Sequence, residues 1–101
     1  MIKHIVLWRL KREAHGQSAA ENASTIKEKL EALAGRIPGL VRIEVGIDFE
    51  RSEQASDLAL YSEFESRAAL DAYQMHPEHK AIMPFIAGAR NERRVVDYEV
   101  Q

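Results

Sequence analysis

Apolar and polar residues alternate along the start of the chain. Ile2, His4, Val6, Trp8 and Leu10 share one face, and Lys3, Ile5, Leu7 and Arg9 share the other, a period of two that predicts a strand over Ile2–Lys11. After a polar loop, Ser18-Ala19-Ala20-Glu21 has the form of a capping box, in which the serine and the glutamate each satisfy the other's backbone N–H at a helix start. The period then changes. Ile26, Leu30, Leu33 and Ile37 recur at helical spacing as one apolar stripe, with Lys27, Glu28, Lys29 and Glu31 on the solvated side. Ile37-Pro38-Gly39 is expected to stop this helix. Val41, Ile43, Val45, Ile47 and Phe49 next alternate with Arg42, Glu44, Gly46 and Asp48, which predicts a half-buried strand. Glu50 to Asp57 is a polar connection. Leu58, Leu60, Ser62 and Phe64 form one face of a third strand, with Ala59, Tyr61 and Glu63 on the other. Ser66 opens a second helix through Leu70 and Tyr73, interrupted at His76-Pro77. Helix resumes with Ile82, Met83, Phe85 and Ile86 as far as Gly88, in a piece that Pro84 is expected to break. Val95, Val96, Tyr98 and Val100 mark a last strand.

The order βαββαβ predicts an α+β, ferredoxin-like fold: a four-stranded antiparallel sheet with its helices on one face, formed by a single domain over residues 1–101. In that topology the first and third strands are central, and these are the two with apolar residues on both sides. Helices on one face leave the other uncovered. Ile5, Leu7 and Tyr61, together with Val95, should then form an apolar patch that a second copy of the chain would bury, so the expected partner is itself, in a homodimer.

Composition narrows the function. The 101 residues carry 14 basic and 16 acidic side chains, and the Arg90-Asn91-Glu92-Arg93-Arg94 run includes its own acid and no aromatic, which argues against nucleic acid as a partner. The absence of cysteine excludes disulfides and thiolate chemistry. No apolar run approaches membrane-spanning length, so no membrane partner is expected. Met1-Ile2-Lys3-His4 leads straight into a strand without a small-residue cleavage site, and the expected location is cytoplasmic.

The richest stretch chemically is Tyr73-Gln74-Met75-His76-Pro77-Glu78-His79. With His76 as N-cap and Pro77 at the first helical position, His79 falls in the first turn, beside the positive end of the helix dipole. Dipole and burial both oppose protonation, so the His79 pKa is expected below about 6.5, in the neutral form that acts as a base. The same argument extends to His4 only if no carboxylate stands beside it. A phenol and a neutral imidazole in proximity form an acid–base pair that needs no cofactor. The same cluster equally suits a satisfied core. His76 and His79 would need His4 as a third ligand to hold a metal, and His76, as a cap, points away; no metal is expected. His15 lies in the polar loop and carries no signal. Glu63 and Glu65 are expected to be solvated or at the dimer face. Val6, Trp8, Leu60, Phe85 and Ile86 are the candidates to line a ligand cavity, although such a set is also an ordinary core.

Taken in order, Lys3-His4-Ile5-Val6-Leu7-Trp8, Ile37-Pro38-Gly39-Leu40, Phe64-Glu65-Ser66, Tyr73 through His79 and Arg94-Val95-Val96-Asp97-Tyr98 resemble the stress-responsive α/β-barrel (Dabb) family across essentially the whole chain. The resemblance implies a dimeric α+β barrel built from two four-stranded sheets, with a pocket in each protomer between sheet and helices. In cyclase members of the family a Tyr and a His, matched here by Tyr73 and His79, form the acid–base pair, and a first-strand His, matched by His4, lines the cavity; no cofactor takes part. The resemblance therefore implies either a cofactor-independent enzyme, polyketide cyclase-like or isomerase-like, acting on a small apolar carbonyl compound, or a non-catalytic stress-related or small-molecule-binding protein. An open cavity with Tyr73 and His79 facing inward would favour chemistry; closure by Trp8, Phe85 and Ile86 would favour a structural role.

Overall fold

A computed structural model describes residues 1–101. Strand β1 (Ile2–Leu10) keeps the alternation read from the sequence, with Ile2, His4, Val6, Trp8 and Leu10 buried. It ends one residue early, at Leu10, beyond which the Lys11 N–H donates to the Ala89 carbonyl at 2.8 Å. The polar loop expected next contains a small hairpin, β2 (Glu13–Ala14) and β3 (Gln17–Ser18). His15 and Gly16 turn it with φ of 55° and 71°, the left-handed pair that matches strand twist in two-residue hairpins.

Helix α1 (Ala19–Glu31) starts at the expected capping box: the Glu21 N–H donates to Ser18 Oγ and the Ser18 N–H donates to Glu21 Oε1. It stops short of Ile37. The Glu31 carboxylate accepts from the Val45 N–H at 3.0 Å, tying the helix end to the next strand, and turns that include Gly35 at φ 76° carry the chain onward. Leu33 and Ile37 are buried all the same, from these turns rather than from helix.

Strand β4 (Leu40–Ile47) departs from its clear pattern. Of the five alternating apolar residues only Val45 is buried, while Phe49 is 93 % exposed and lies beyond the strand. β4 is an edge strand with a register shift between Leu40 and Arg42, and the helices above it cover only its middle. Strand β5 (Leu58–Phe64) buries Leu58, Leu60, Ser62 and Phe64 as expected. Helix α2 (Arg67–Met75) is capped by Ser66, whose Oγ accepts from the Ala69 N–H. Helix α3 (Pro77–Ala89) is continuous through Pro84, against the expectation of a break. Lys80 and Pro84 both lie on the exposed face, so the carbonyl left without its N–H partner is on the water side. Strand β6 (Arg90–Glu99) begins directly at the end of α3, well before Val95.

The sheet order is β4-β5-β1-β6, all antiparallel, with β1 and β5 central. This is the α+β ferredoxin-like fold. Side chains directly opposite in an antiparallel pair share a face. Val95 pairs with Val6 and so belongs to the helix side; Val96 pairs with Ile5 and so belongs to the outer side. The uncovered apolar patch is therefore Ile5, Leu7, Tyr61 and Val96, and Val95 is not part of it. Around the patch, Lys3 Nζ donates to Tyr61 Oη at 2.8 Å and to Glu63 Oε2 at 2.9 Å. On the other face, Val6, Trp8, Ile26, Leu30, Phe64 and Tyr73 form the core with almost no exposure. No helix is long and apolar enough to cross a membrane.

Candidate active site

The helix layer does not reach across β6, and this leaves a cavity of about 310 Å³ between the sheet and the α2–α3 junction. β1 contributes His4, Val6 and Trp8 to its wall, and β5 contributes Leu60. Tyr73 and Gln74 come from α2, and His79, Met83 and Ile86 from α3. All three candidate catalytic residues thus meet at one cavity, together with Val6, Trp8, Leu60 and Ile86.

Phe85 does not. It faces the hairpin, where the His15 ring stacks on it with centroids 4.2 Å apart and planes 15° apart, and His15 Nε2 bonds the Phe85 carbonyl at 2.8 Å. On a helix, adjacent residues point about 100° apart, so Ile86 in the cavity sends Phe85 away from it. His15, which carried no signal in the sequence, thereby fixes the hairpin to α3.

The α2–α3 break places the Tyr–His pair. His76 caps α3, its Nδ1 accepting from the Glu78 N–H at 3.1 Å, with Pro77 in the first turn. His79 follows on that turn, and its ring lies 4.3 Å from that of Tyr73, tilted by 52°. Tyr73 also packs on Phe64, ring centroids 4.9 Å apart, and is wholly buried. Burial pushes its hydroxyl far above the ordinary phenol range, so it is a protonated donor at neutral pH. The His79 imidazole is shifted the other way. Burial is the main cause, with the charges of His4, Arg93 and His76 acting in the same sense and the Gln74 backbone opposing them. Tyr73 Oη and His79 Nδ1 are both buried without a hydrogen-bond partner. Buried polar atoms are rarely left so, because each costs about 1–3 kcal/mol.

His4 is held from the sheet. Its Nδ1 lies 2.5 Å from Oδ1 of Asp97, the residue directly opposite it on β6. A carboxylate only accepts, so Nδ1 carries the hydrogen and Nε2 is the ring nitrogen left to work. The condition that no carboxylate stand beside His4 therefore fails. Its ring packs edge-on to Tyr73 with centroids 6.2 Å apart.

Sequence reasoning missed Asp97, Gln74, Met83, Arg90 and Arg93 as site residues. Arg90 and Arg93 line the cavity, and Arg93 pairs with Trp8 in register. The signal was available: Arg93 and Asp97 stand two residues either side of Val95, and strand alternation puts all three on one face. No group of three His, Asp or Glu side chains is arranged to hold a metal ion.

The family pattern of the Stress Responsive A/B Barrel Domain matches residues 2–100. No curated, functionally described protein matches the chain significantly. Among solved structures, a dimeric protein of unknown function with a ferredoxin-like fold from Bacteroides fragilis is 34% identical, with a TM-score of 0.86 over 98% of this chain and 95% of that one. A dimeric ferredoxin-like protein of unknown function from Thermobifida fusca is 25% identical, with a TM-score of 0.84 over 98% of this chain and 90% of that one. The hydroxynitrile lyase of Passiflora edulis is 19% identical, with a TM-score of 0.80 over 99% of this chain and 92% of that one, a likeness of fold. Nearly the whole chain fits the family pattern, and it shares a third of its residues with the Bacteroides structure. The protein belongs to the stress-responsive A/B barrel (Dabb) domain family.

Proposed function

We propose that the protein is a homodimeric, cofactor-independent acid–base enzyme acting on a small, largely apolar carbonyl compound, by cyclising a polyketide-like chain or isomerising a related ring. The observation that carries this reading is the pair of unpartnered buried atoms, Tyr73 Oη and His79 Nδ1, on two residues that line a cavity which Trp8 and Ile86 leave open. In a finished core they would be satisfied; in a site a small movement of the cavity wall presents them to substrate. Neutral His79 takes the proton alpha to the carbonyl. Tyr73, kept protonated by burial, donates to the oxyanion that develops, where a preformed donor in a dry site is most effective. His4, held by Asp97, orients the substrate with Nε2. That the fold also serves a hydroxynitrile lyase and an antibiotic biosynthesis monooxygenase supports catalysis as within its range, at 19% and 20% identity. The dimer is supported by the dimeric relatives and by the uncovered patch around Leu7.

The test is exchange of the α-protons of 4-phenylbutan-2-one in deuterated water, followed by proton NMR. The wild type should accelerate exchange, and His79→Ala should lose about 10²–10⁴-fold while retaining its folded mass. Equal rates in the two would remove His79 from the mechanism. Binding of the ketone with no acceleration by the wild type would assign a binding protein instead.

A further inference from the structure

The rest of the cavity wall carries information about the ligand. Arg90 closes α3 and opens β6, and Arg93 follows on the cavity side of that strand. No acidic side chain lines the cavity. Asp97, nearby, is already engaged by His4. Arg36, Arg42, Arg67 and Arg94 each pair with a glutamate, whereas Arg90 and Arg93, like Arg12 and Arg51 elsewhere, make no ion pair and no side-chain hydrogen bond, and of these four only Arg90 and Arg93 line the cavity. Two unpaired arginines therefore line a cavity whose other polar side chains, His4, Tyr73, Gln74 and His79, carry no negative charge at neutral pH, and the unpartnered Tyr73 hydroxyl is buried in its wall.

We infer that the cavity takes a carboxylic acid, with the acid group on Arg90 and Arg93 and the apolar body against Val6, Trp8 and Ile86. A guanidinium fork matches the two oxygens of a carboxylate, and two such forks on one cavity favour an acid over a neutral ligand of the same shape. This deepens the proposed function and rests on it for one point only: the substrate carbonyl sits at Tyr73 and His79, which makes the substrate a keto acid. A phosphate is the poorer fit, since the sequence holds no glycine-rich loop to satisfy its additional oxygens.

Trp8 is the single tryptophan of the chain and lies in the cavity wall, so its fluorescence reports occupancy directly. The probes are 3-phenylpropionate and its neutral counterpart 3-phenylpropionamide. The acid should bind about tenfold more tightly than the amide, and the preference should vanish in Arg90→Gln/Arg93→Gln while the amide affinity is unchanged. His79→Ala should keep the preference whatever happens to proton exchange, so failure of the general base and failure of the acid site are read separately. Equal affinities for acid and amide, no binding of either, or a preference that survives the double substitution would each overturn the inference. Displacement of the acid by equimolar inorganic phosphate would overturn the choice of carboxylate.

Discussion

Tyr73 and His79 lie ring to ring at 4.3 Å although they belong to different helices, and each keeps one polar atom buried and unbonded. The kink at His76-Pro77 brings this about, since a continuous helix would carry His79 on to a different height and direction. Burial is the leading cause for both rings and acts in opposite directions: the phenol holds its proton more tightly and the imidazole holds its proton less. Burial thus favours a protonated phenol beside a neutral imidazole.

Tyr73→Phe separates function from stability. The substitution removes a buried hydroxyl that bonds nothing, so folding stability should hold or rise, by up to about 1–3 kcal/mol. Proton exchange on 4-phenylbutan-2-one should fall at the same time. Urea unfolding of the two proteins decides it; a variant clearly less stable than the wild type would mean that the hydroxyl is bonded in the folded protein.

The lowered pKa of His79 makes a pH prediction with a definite sign. Its folded value lies below the unfolded value of about 6.5, so protonation favours the unfolded chain. The stability contribution is fully present above about pH 6.5. It is lost progressively as pH falls from there to the folded value, because the unfolded chain takes up a proton that the folded one refuses. The urea midpoint should drop across that window in the wild type and drop less in His79→Phe. A midpoint slope unchanged by the substitution would place the titrating group elsewhere.

Leu7→Arg tests the outer face of the sheet. Leu7 is 38 % exposed beside Ile5, Tyr61 and Val96, and burying each large side chain against a partner is worth roughly 1.5–3 kcal/mol. Light scattering of the wild type should give twice the chain mass of 11.5 kDa, and the variant should dissociate or aggregate. A wild type that scatters as a monomer at micromolar concentration would show that this face stays open.

Gly39→Ala should destabilise for two separate reasons. Gly39 has φ of 83°, where a side chain is strained, and an added Cβ would lie 2.5 Å from the Cβ of Ala69 on α2. Strain of about 1–2 kcal/mol and overpacking of about 1–3 kcal/mol add, and a chain of this size should lose on the order of 10 °C in Tm. Gly35→Ala is the control: its φ is 76° with nothing near the added Cβ, so only the first cost applies. Similar losses in both variants would show that the contact with Ala69 relaxes freely.

Whatever depends on a few neighbouring residues is legible in the chain without its fold. The capping box at Ser18 and Glu21, the cap and first turn at His76 and Pro77, and the alternation of β1 and β5 are each settled by hydrogen bonds or side-chain directions within a single element. From these followed the element order and the central strands, while the meeting of His4, Tyr73 and His79 was implied by the resemblance to the family. Coverage from above and partners across a strand come from the fold. β4 has the cleanest alternation in the chain, yet most of it stays exposed because it lies at the edge where the helices end. Phe85 is apolar and adjacent to the cavity residue Ile86, yet it serves the hairpin because of the turn of the helix. Asp97 and Arg93 reach the site only through the register of β6 against β1, which couples residues at opposite ends of the chain. Local hydrogen bonds are written in local sequence, whereas burial and register belong to whatever the rest of the chain lays alongside.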